Sequence, residues 1–317
     1  MKCFYHNDQD GIVSGYYVRK TCEKRDVNFE PDDFRKINYG MKFPFKDIKQ
    51  DELVFIVDYS IEPDEMWQLL SITKNVIWID HHQSAIDKYK DFKCNVKGIR
   101  VTGAGIPGAN LTWWYLSNCV NKSFDEYCNW GGMNVLVDML QSSLSNYTPI
   151  LAKYTAAWDT FTWEDEREAE KIKAFHLVFE SYNFSPMSGL LGMLNIENIA
   201  EKMTEDMIHE GLKIMKYMDS NTKRYLEVYG FETVFEGYKV YAINSAFISS
   251  DFFKSIDASK YDIFIGFVYK GDEDKWEYQL RSAEPDKVNV CELAVKYGGG
   301  GHVNAAGFRS NKYVLGK

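Results

Sequence analysis

Three short apolar runs stand out along the first part of the chain: "CFYH" from Cys3, "LVFIVD" from Leu53 and "VIWID" from Val76. Each is rich in β-branched and aromatic residues and bounded by polar ones, the mark of buried strands. Between them lie "GIVSGYYVRKTCEK" and "PDEMWQLLSITKN", long enough for helical crossovers. Strand–helix–strand alternation of this kind predicts an α/β fold with a doubly wound parallel sheet. From Asn110 to about Tyr229 the period becomes helical. "NLTWWYL" opens one helix after the loop "GAGIPGA", and "PILAKYTAAWDTF" starts another with proline in its first turn. Trp113 and Trp114 read as core residues. The acid-rich "EDEREAEK" (164–171) reads as a solvated helix face. Ile208, Leu212, Met215, Met218, Tyr225 and Tyr229 recur at three-, four- and seven-residue steps, predicting an amphipathic connecting helix. After Gly230 strand texture returns in "TVFEGYKVYAIN", "DIFIGFVYK" and "WEYQLRS", followed by a helix "VNVCELAVKY" and "GGGGHVNAAGF". The expected organisation is therefore an N-terminal domain over 1–204, a connecting helix over 205–230 and a smaller C-terminal α/β domain over 231–317.

The strand ends change the picture from fold to chemistry. The first run leads into "HNDQDG", with His6, Asp8 and Asp10 at alternate positions; the second ends at Asp58; the third ends at Asp80, His81 and His82. In extended chain, residues two apart project to one side, so the first three would converge if the strand direction persists that far. Open parallel sheets bind ligands beyond the carboxyl ends of their strands. Single aspartates at strand ends are commonly turn formers. So many carboxylates gathered at neighbouring ends repel one another unless a cation lies between them. Mixed carboxylate and imidazole donors without thiolate suit Mn²⁺, Mg²⁺ or Fe²⁺ better than structural zinc. The donors are too many for one ion. Two ions about 3.5–4 Å apart form the arrangement that hydrolyses phosphate esters.

Composition narrows the partners. The formal net charge is −9, so the chain lacks the basic face that long nucleic acid requires, and an anionic substrate must be held by metal or by a few placed cations. The six cysteines are scattered with no C-x-x-C pair, as in reduced intracellular proteins. No charged leader with an apolar run opens the sequence, and no segment approaches the ~20 apolar residues of a membrane span. The expectation is a cytoplasmic protein without a membrane partner.

"HNDQDG", "VDYS", "IDHH" and "AAWDTF" resemble, in order, the four motifs of the DHH phosphoesterase superfamily. "RSAEPDKVNVCELAVKYGGGGHVNAAGF" resembles the end of its C-terminal DHH-associated domain. The compact His-x-Asp-x-Asp spacing and the loop "TGAGIPGANLTWWYL" are most similar to the bacterial nanoRNase/oligoribonuclease branch. The resemblance implies two Mn²⁺ ions, with Mg²⁺ or Fe²⁺ as alternatives. His6 and Asp8 would hold the first, Asp10, His81 and Asp159 the second, and Asp58 would bridge both. Asp80 would support the histidines, and His82 would touch the substrate phosphate. The family has glycine two residues after the last aspartate. Phe161 stands there in this chain, which puts that turn, and the Asp159 ligand with it, in question. Arg281, Gly299, Gly300, Gly301 and His302 match the family's substrate clamp, which is expected to face the metals across an interdomain cleft.

The function so implied is hydrolysis of short single-stranded RNA or DNA oligonucleotides (nanoRNA) to mononucleotides, with room for a homodimer. Cyclic mono- or dinucleotides and phosphoadenosine phosphate are alternative substrates of the same chemistry. A nucleotide-sequestering protein without turnover is the alternative of another class, and the intact set of ligand types weighs against it.

Overall fold

The computed structural model describes residues 1–92, 96–101, 106–118, 148–246, 248–249 and 251–316. Cys94, Cys119, Cys128 and residues 103–105 of the glycine-containing loop lie outside them.

The apolar runs form strands where the pattern predicts them: β1 (Lys2–His6), β3 (Val54–Val57) and β4 (Val76–Ile79). A further strand, β2 (Phe34–Ile37), lies in "FRKI", which the hydropathy pattern does not flag because two of its four residues are charged. It tolerates them because it is an edge strand. The sheet order is β2-β1-β3-β4, all pairs parallel, with Phe4 aligned to Ile56 and Ile56 to Trp78. Every residue of β3 is buried, as a central parallel strand covered on both faces should be. Burying each of its side chains contributes about 1.5–3 kcal/mol. Phe4, Ile56 and Trp78 pack with Phe43, Ile48, Met66 and Leu69 into one core. The strand order reverses between β1 and β3, and a ligand crevice opens at such a switch point.

Helix α1 (Gln9–Lys24) follows β1 after two residues, and α2 (Pro63–Ile72) joins β3 to β4 with proline at its start. Three more helices bear on the site: α3 (Gln83–Lys88) after β4, α4 (Gly108–Asn118) and α5 (Ile150–Asp159). Helix α6 (Glu166–Ser181) begins in the acidic run, whose residues are nearly all exposed. Of the two tryptophans expected in the core, Trp114 is buried and Trp113 only half-buried.

The chain divides into two compact units, Met1–Ile214 and Met215–Lys317. The division falls inside a long helix, Glu197–Tyr229. Its apolar stripe is buried at Ile208 and Leu226, whereas Met218, Tyr225 and Tyr229 are exposed. The second unit is a mixed six-stranded sheet of order β5-β6-β7-β8-β10-β9. Its strands are β5 (Phe231–Phe235), β6 (Tyr238–Asn244), β7 (Ile263–Lys270), β8 (Lys275–Ser282), β9 (Gly300–His302) and β10 (Ala305–Ser310). "TVFEGYKVYAIN" is a hairpin, not one strand: Glu236 and Gly237 both take positive φ, as a tight two-residue turn demands. Tyr278 and Phe308 stack at 4.8 Å in the core beneath the helix Val290–Lys296. Among the described residues no helix is long and apolar enough to cross a membrane.

Candidate metal centre

The three residues of "HNDQDG" converge by a different route from the one strand alternation suggests. β1 ends at His6 and the chain turns at once into α1. Asp8 is the N-cap of that helix, accepting from the Gly11 N–H at 2.9 Å, and Asp10 sits in its first turn. The turn is possible because position 11 is glycine: a Cβ there would lie 2.1 Å from the His6 carbonyl oxygen. His6 Nδ1 comes within 2.6 Å of Asp8 Oδ2, though not in hydrogen-bonding alignment, and 3.8 Å from Asp58 Oδ2.

Asp58 follows β3 directly and is almost wholly buried. Its φ of 52° is left-handed, a conformation aspartate tolerates better than most residues. It lies between the two histidine groups, with Oδ1 3.2 Å from His81 Nε2. The same nitrogen is 3.6 Å from Asp10 Oδ2 and 3.5 Å from Asp159 Oδ2. Three sets of ligand-type atoms, each set within 4.8 Å, therefore overlap: His6, Asp8 and Asp58; Asp10, His81 and Asp159; Asp58, His81 and His82.

Asp10 owes its position to a helix start. Its two carboxylate oxygens accept the Gly108 and Ala109 N–H groups, each at 2.7 Å, so the positive end of α4 holds it. Gly108 permits the approach, since a Cβ there would stand 2.7 Å from Asp58 Cβ and 3.0 Å from Asp10 Oδ2. In the sequence this glycine ends a loop that reads as a helix cap, and the loop's place in the family resemblance suggests proximity to the site.

Asp80 is fully buried and organises the two histidines. Its Oδ1 accepts the His81 N–H at 2.8 Å and the His82 N–H at 3.3 Å, and meets His82 Nδ1 at 2.7 Å. The Ser60 hydroxyl donates to its other oxygen. Burial works against ionising Asp80, yet the His82 and Ser60 hydrogen bonds prevail and hold its carboxyl below the usual range. Burial likewise opposes charge on His82, but the Asp80 hydrogen bond and the surrounding carboxylates raise its pKa. With Nδ1 tied to Asp80, Nε2 is the atom left for another partner.

The remaining groups carry the electrostatic signature of a cation site. Burial, then the charges of neighbouring aspartates, push the carboxyls of Asp58 and Asp10 well up. Burial and Asp8 raise Asp159 to about 6. Burial and then His82 lower His81 to about 4, leaving its imidazole neutral at ordinary pH. Among the described residues neither oxygen of Asp58 has a hydrogen-bond partner, nor does His81 Nε2. Buried polar atoms without partners are costly, and here they turn lone pairs toward a shared space. The nitrogen and carboxylate donors fit divalent cations, and among the described residues no protein donor satisfies the Asp58 oxygens otherwise.

Phe161, the departure from the family pattern, adopts φ 52° despite its side chain. The turn after α5 thus keeps a glycine-like backbone, and Asp159 stays against His81. The residue is 69% exposed. Left-handed backbone costs a non-glycine residue about 1–2 kcal/mol, partly offset by the entropy glycine would lose on folding. Phe161→Gly is accordingly expected to raise stability by up to about 1 kcal/mol. Chemical denaturation checks this, and a lower midpoint would contradict the strain.

A set of hydrogen bonds behind the helix start lies beyond any sequence signal. Gln9 Nε2 donates to Thr155 Oγ1 at 3.0 Å, and Gln9 Oε1 meets His176 Nδ1 at 2.8 Å. His176 in turn stacks on Trp158 at 3.8 Å. The residue between Asp8 and Asp10 is thereby tied to the helix that carries Asp159. A cleft lined by Tyr16, Lys20, Arg25, Trp113 and Asn195 lies in the same unit but includes no residue of the cluster.

In the second unit, Ala305 of β10 pairs with Arg281 of β8 on one side and His302 of β9 on the other. Directly opposed residues share a face, so Arg281 and His302 flank a small alanine, two strand spacings or roughly 9–10 Å apart. Arg281 is half-buried, donates to the Leu280 carbonyl and makes no ion pair among the described residues. The glycine run is partly strand, not a free turn. Gly299 and Gly301 allow close backbone approach, since Cβ atoms there would fall 2.1 Å from the Gly307 oxygen and 2.5 Å from the Ala305 oxygen. Gly300 lies in open space.

No known protein-family profile matches the chain. It is 22% identical over 331 aligned positions to oligoribonuclease NrnB of Bacillus subtilis (strain 168), spanning 96% of this chain and 71% of that protein. Among solved structures, it is similar to the pGpG-specific phosphodiesterase PggH of Vibrio cholerae, with 11% identity and a TM-score of 0.44 over 97% of this chain and 92% of that one. It is also similar to exonuclease RecJ bound to manganese, with 16% identity and a TM-score of 0.47 over 97% and 84% of the two chains.

Proposed function

We propose that this chain, a member of the DHH phosphoesterase superfamily, is a metal-dependent phosphodiesterase that hydrolyses short oligonucleotides to mononucleotides. The observation that carries the reading is the pair of Asp58 oxygens, without a hydrogen-bond partner among the described residues and common to two of the three ligand sets. His6 and Asp8 would hold one cation, and Asp10, His81 and Asp159 a second, with Asp58 shared. Manganese suits this donor set, and magnesium and ferrous iron are the alternatives. Bound cations would supply Lewis acidity toward the phosphate oxygens and the attacking water.

The chain's own groups would do the rest. His82, oriented by Asp80, presents Nε2 to a phosphate oxygen and, when protonated, donates a hydrogen bond to it. Asp80 is shielded by burial and by the Ser60 hydroxyl, so it orients His82 without competing for substrate. Arg281 supplies a cation without a carboxylate partner and His302 a second donor on the same face, a pair suited to the anionic part of a nucleotide. Gly300, exposed and unobstructed, lets a ligand approach the backbone beside them. Net charge of −9 favours short substrates over polymers. The free thiols of Cys3, Cys22 and Cys291 suit a reducing cytoplasm.

Incubation with a labelled RNA dinucleotide and Mn²⁺ is expected to release mononucleotides, and EDTA to stop the release. Cyclic dinucleotides, cyclic mononucleotides and phosphoadenosine phosphate belong in the same panel, because the cluster's chemistry would serve any of them. Tight binding without turnover of any member would overturn the hydrolytic reading in favour of sequestration.

A further inference from the structure

The loop after β2 carries a residue that neither the motifs nor the metal ligands account for. Asn38 to Met41 form a tight turn closed by the Met41 N–H on the Asn38 carbonyl at 3.1 Å. Gly40 provides the positive φ of 86° that its third position needs, which leaves Tyr39 at the corner. β2 runs parallel to β1, so this turn emerges at the same carboxyl edge as His6 and Asp58. There the Tyr39 ring stands 5.6 Å from the His6 ring and 6.0 Å from that of His82, edge-on to the latter. Its inner flank rests on Tyr59 at 4.8 Å, and the Ser60 backbone N–H faces its oxygen. Even so, 52% of the residue is exposed.

An aromatic ring braced on one side, open on the other and set beside the residue assigned to the phosphate has the makings of a stacking platform. We propose that Tyr39 is the platform on which the nucleobase flanking the bound phosphate stacks. This rests on the phosphodiester reading above and adds that the site recognises a base and not a bare sugar phosphate. Stacking favours any base, because each presents a π-face, so the preference concerns the presence of a base and not its identity.

The experiment compares KM for an RNA dinucleotide with KM for two analogues, each lacking one base, in the parent protein and in Tyr39→Phe, Tyr39→Leu and Tyr39→Ala. The parent is expected to favour the intact dinucleotide by about 5- to 150-fold over one of the two analogues. Tyr39→Phe retains that ratio, whereas Tyr39→Ala and Tyr39→Leu bring it close to one. Leucine keeps apolar bulk and so guards against a merely unfolded turn. A ratio unchanged in the alanine and leucine variants, or lost equally in the phenylalanine variant, overturns the proposal. Calorimetry with AMP and ribose 5-phosphate makes the same comparison without turnover. If no dinucleotide is cleaved but Tyr39 still sets the preference for AMP, the hydrolytic reading fails and the platform stands. If cleavage is robust and Tyr39 sets no preference, the reverse holds.

Discussion

Asp58→Asn is expected to abolish turnover and, in the same protein freed of metal, to increase stability. The two effects have opposite signs because one carboxylate serves a cation that the fold does not otherwise replace. In the metal-free protein Asp58 is buried beside Asp10, Asp8, Asp80 and Asp159, with burial the largest influence and those charges next. Among the described residues neither of its oxygens finds a hydrogen-bond donor. Ionising that carboxyl in place, or holding it protonated at neutral pH, costs free energy that a neutral asparagine of nearly the same shape does not. A gain of about 1–3 kcal/mol in EDTA follows, or roughly 2–4 °C of Tm per kcal/mol for a unit of this size. Turnover of a dinucleotide should fall by about 10³-fold or more if Asp58 is, as proposed, the ligand shared by the two cations. The stabilisation that added Mn²⁺ gives the parent should largely disappear. Thermal melts with EDTA and with Mn²⁺, beside a dinucleotide assay, read all three. A variant that melts lower in EDTA would show that Asp58 is satisfied by the protein itself and would remove the main support for a metal centre.

Gly108→Ala is expected to damage both fold and chemistry, although it adds a single methyl group. That carbon would stand 2.7 Å from Asp58 Cβ, 2.9 Å from its Oδ1 and 3.0 Å from Asp10 Oδ2. None of these is the free end of a flexible side chain that could swing aside. Relief requires α4 to withdraw, and with it the Gly108 and Ala109 N–H groups that hold Asp10 at 2.7 Å. Overpacking of this sort costs about 1–3 kcal/mol. Misplacing the groups that orient a ligand typically costs about 10- to 100-fold in activity. Gly192→Ala is the control. Its Cβ would meet nothing within 4 Å, and it lies within a helix, so the same change there should be neutral or stabilising by about 0.5–1 kcal/mol. Equal turnover by the parent and Gly108→Ala would mean that the helix start and the aspartates are not mechanically linked.

Local pattern carried far in this chain wherever a side chain's role depends on its immediate neighbours. The all-buried β3 could be read from an unbroken apolar run, and the three acidic strand ends from the residues that follow such runs. The edge strand β2 escaped because edge positions accept charge, which erases the period that marks a strand. The route by which His6, Asp8 and Asp10 meet was likewise hidden. Alternation in "HNDQDG" suggests extended chain, but Asp8 accepts a helix N–H and the backbone turns instead. At Phe161 the residue type argues against a left-handed turn that the surrounding fold nonetheless imposes.

By itself, then, the amino-acid order specified an α/β chain with a metal-capable set of donors at the carboxyl edge of a parallel sheet. Those properties follow from short-range periodicity and from residue chemistry. Only the folded chain decided which donor atoms face a common space, that a helix start at Gly108 clasps Asp10, that Gln9 meets His176, 167 positions away, and that Tyr39 borders His82. These are contacts between segments remote in sequence. Their register is set by packing of strands and helices against one another, and no local period encodes it.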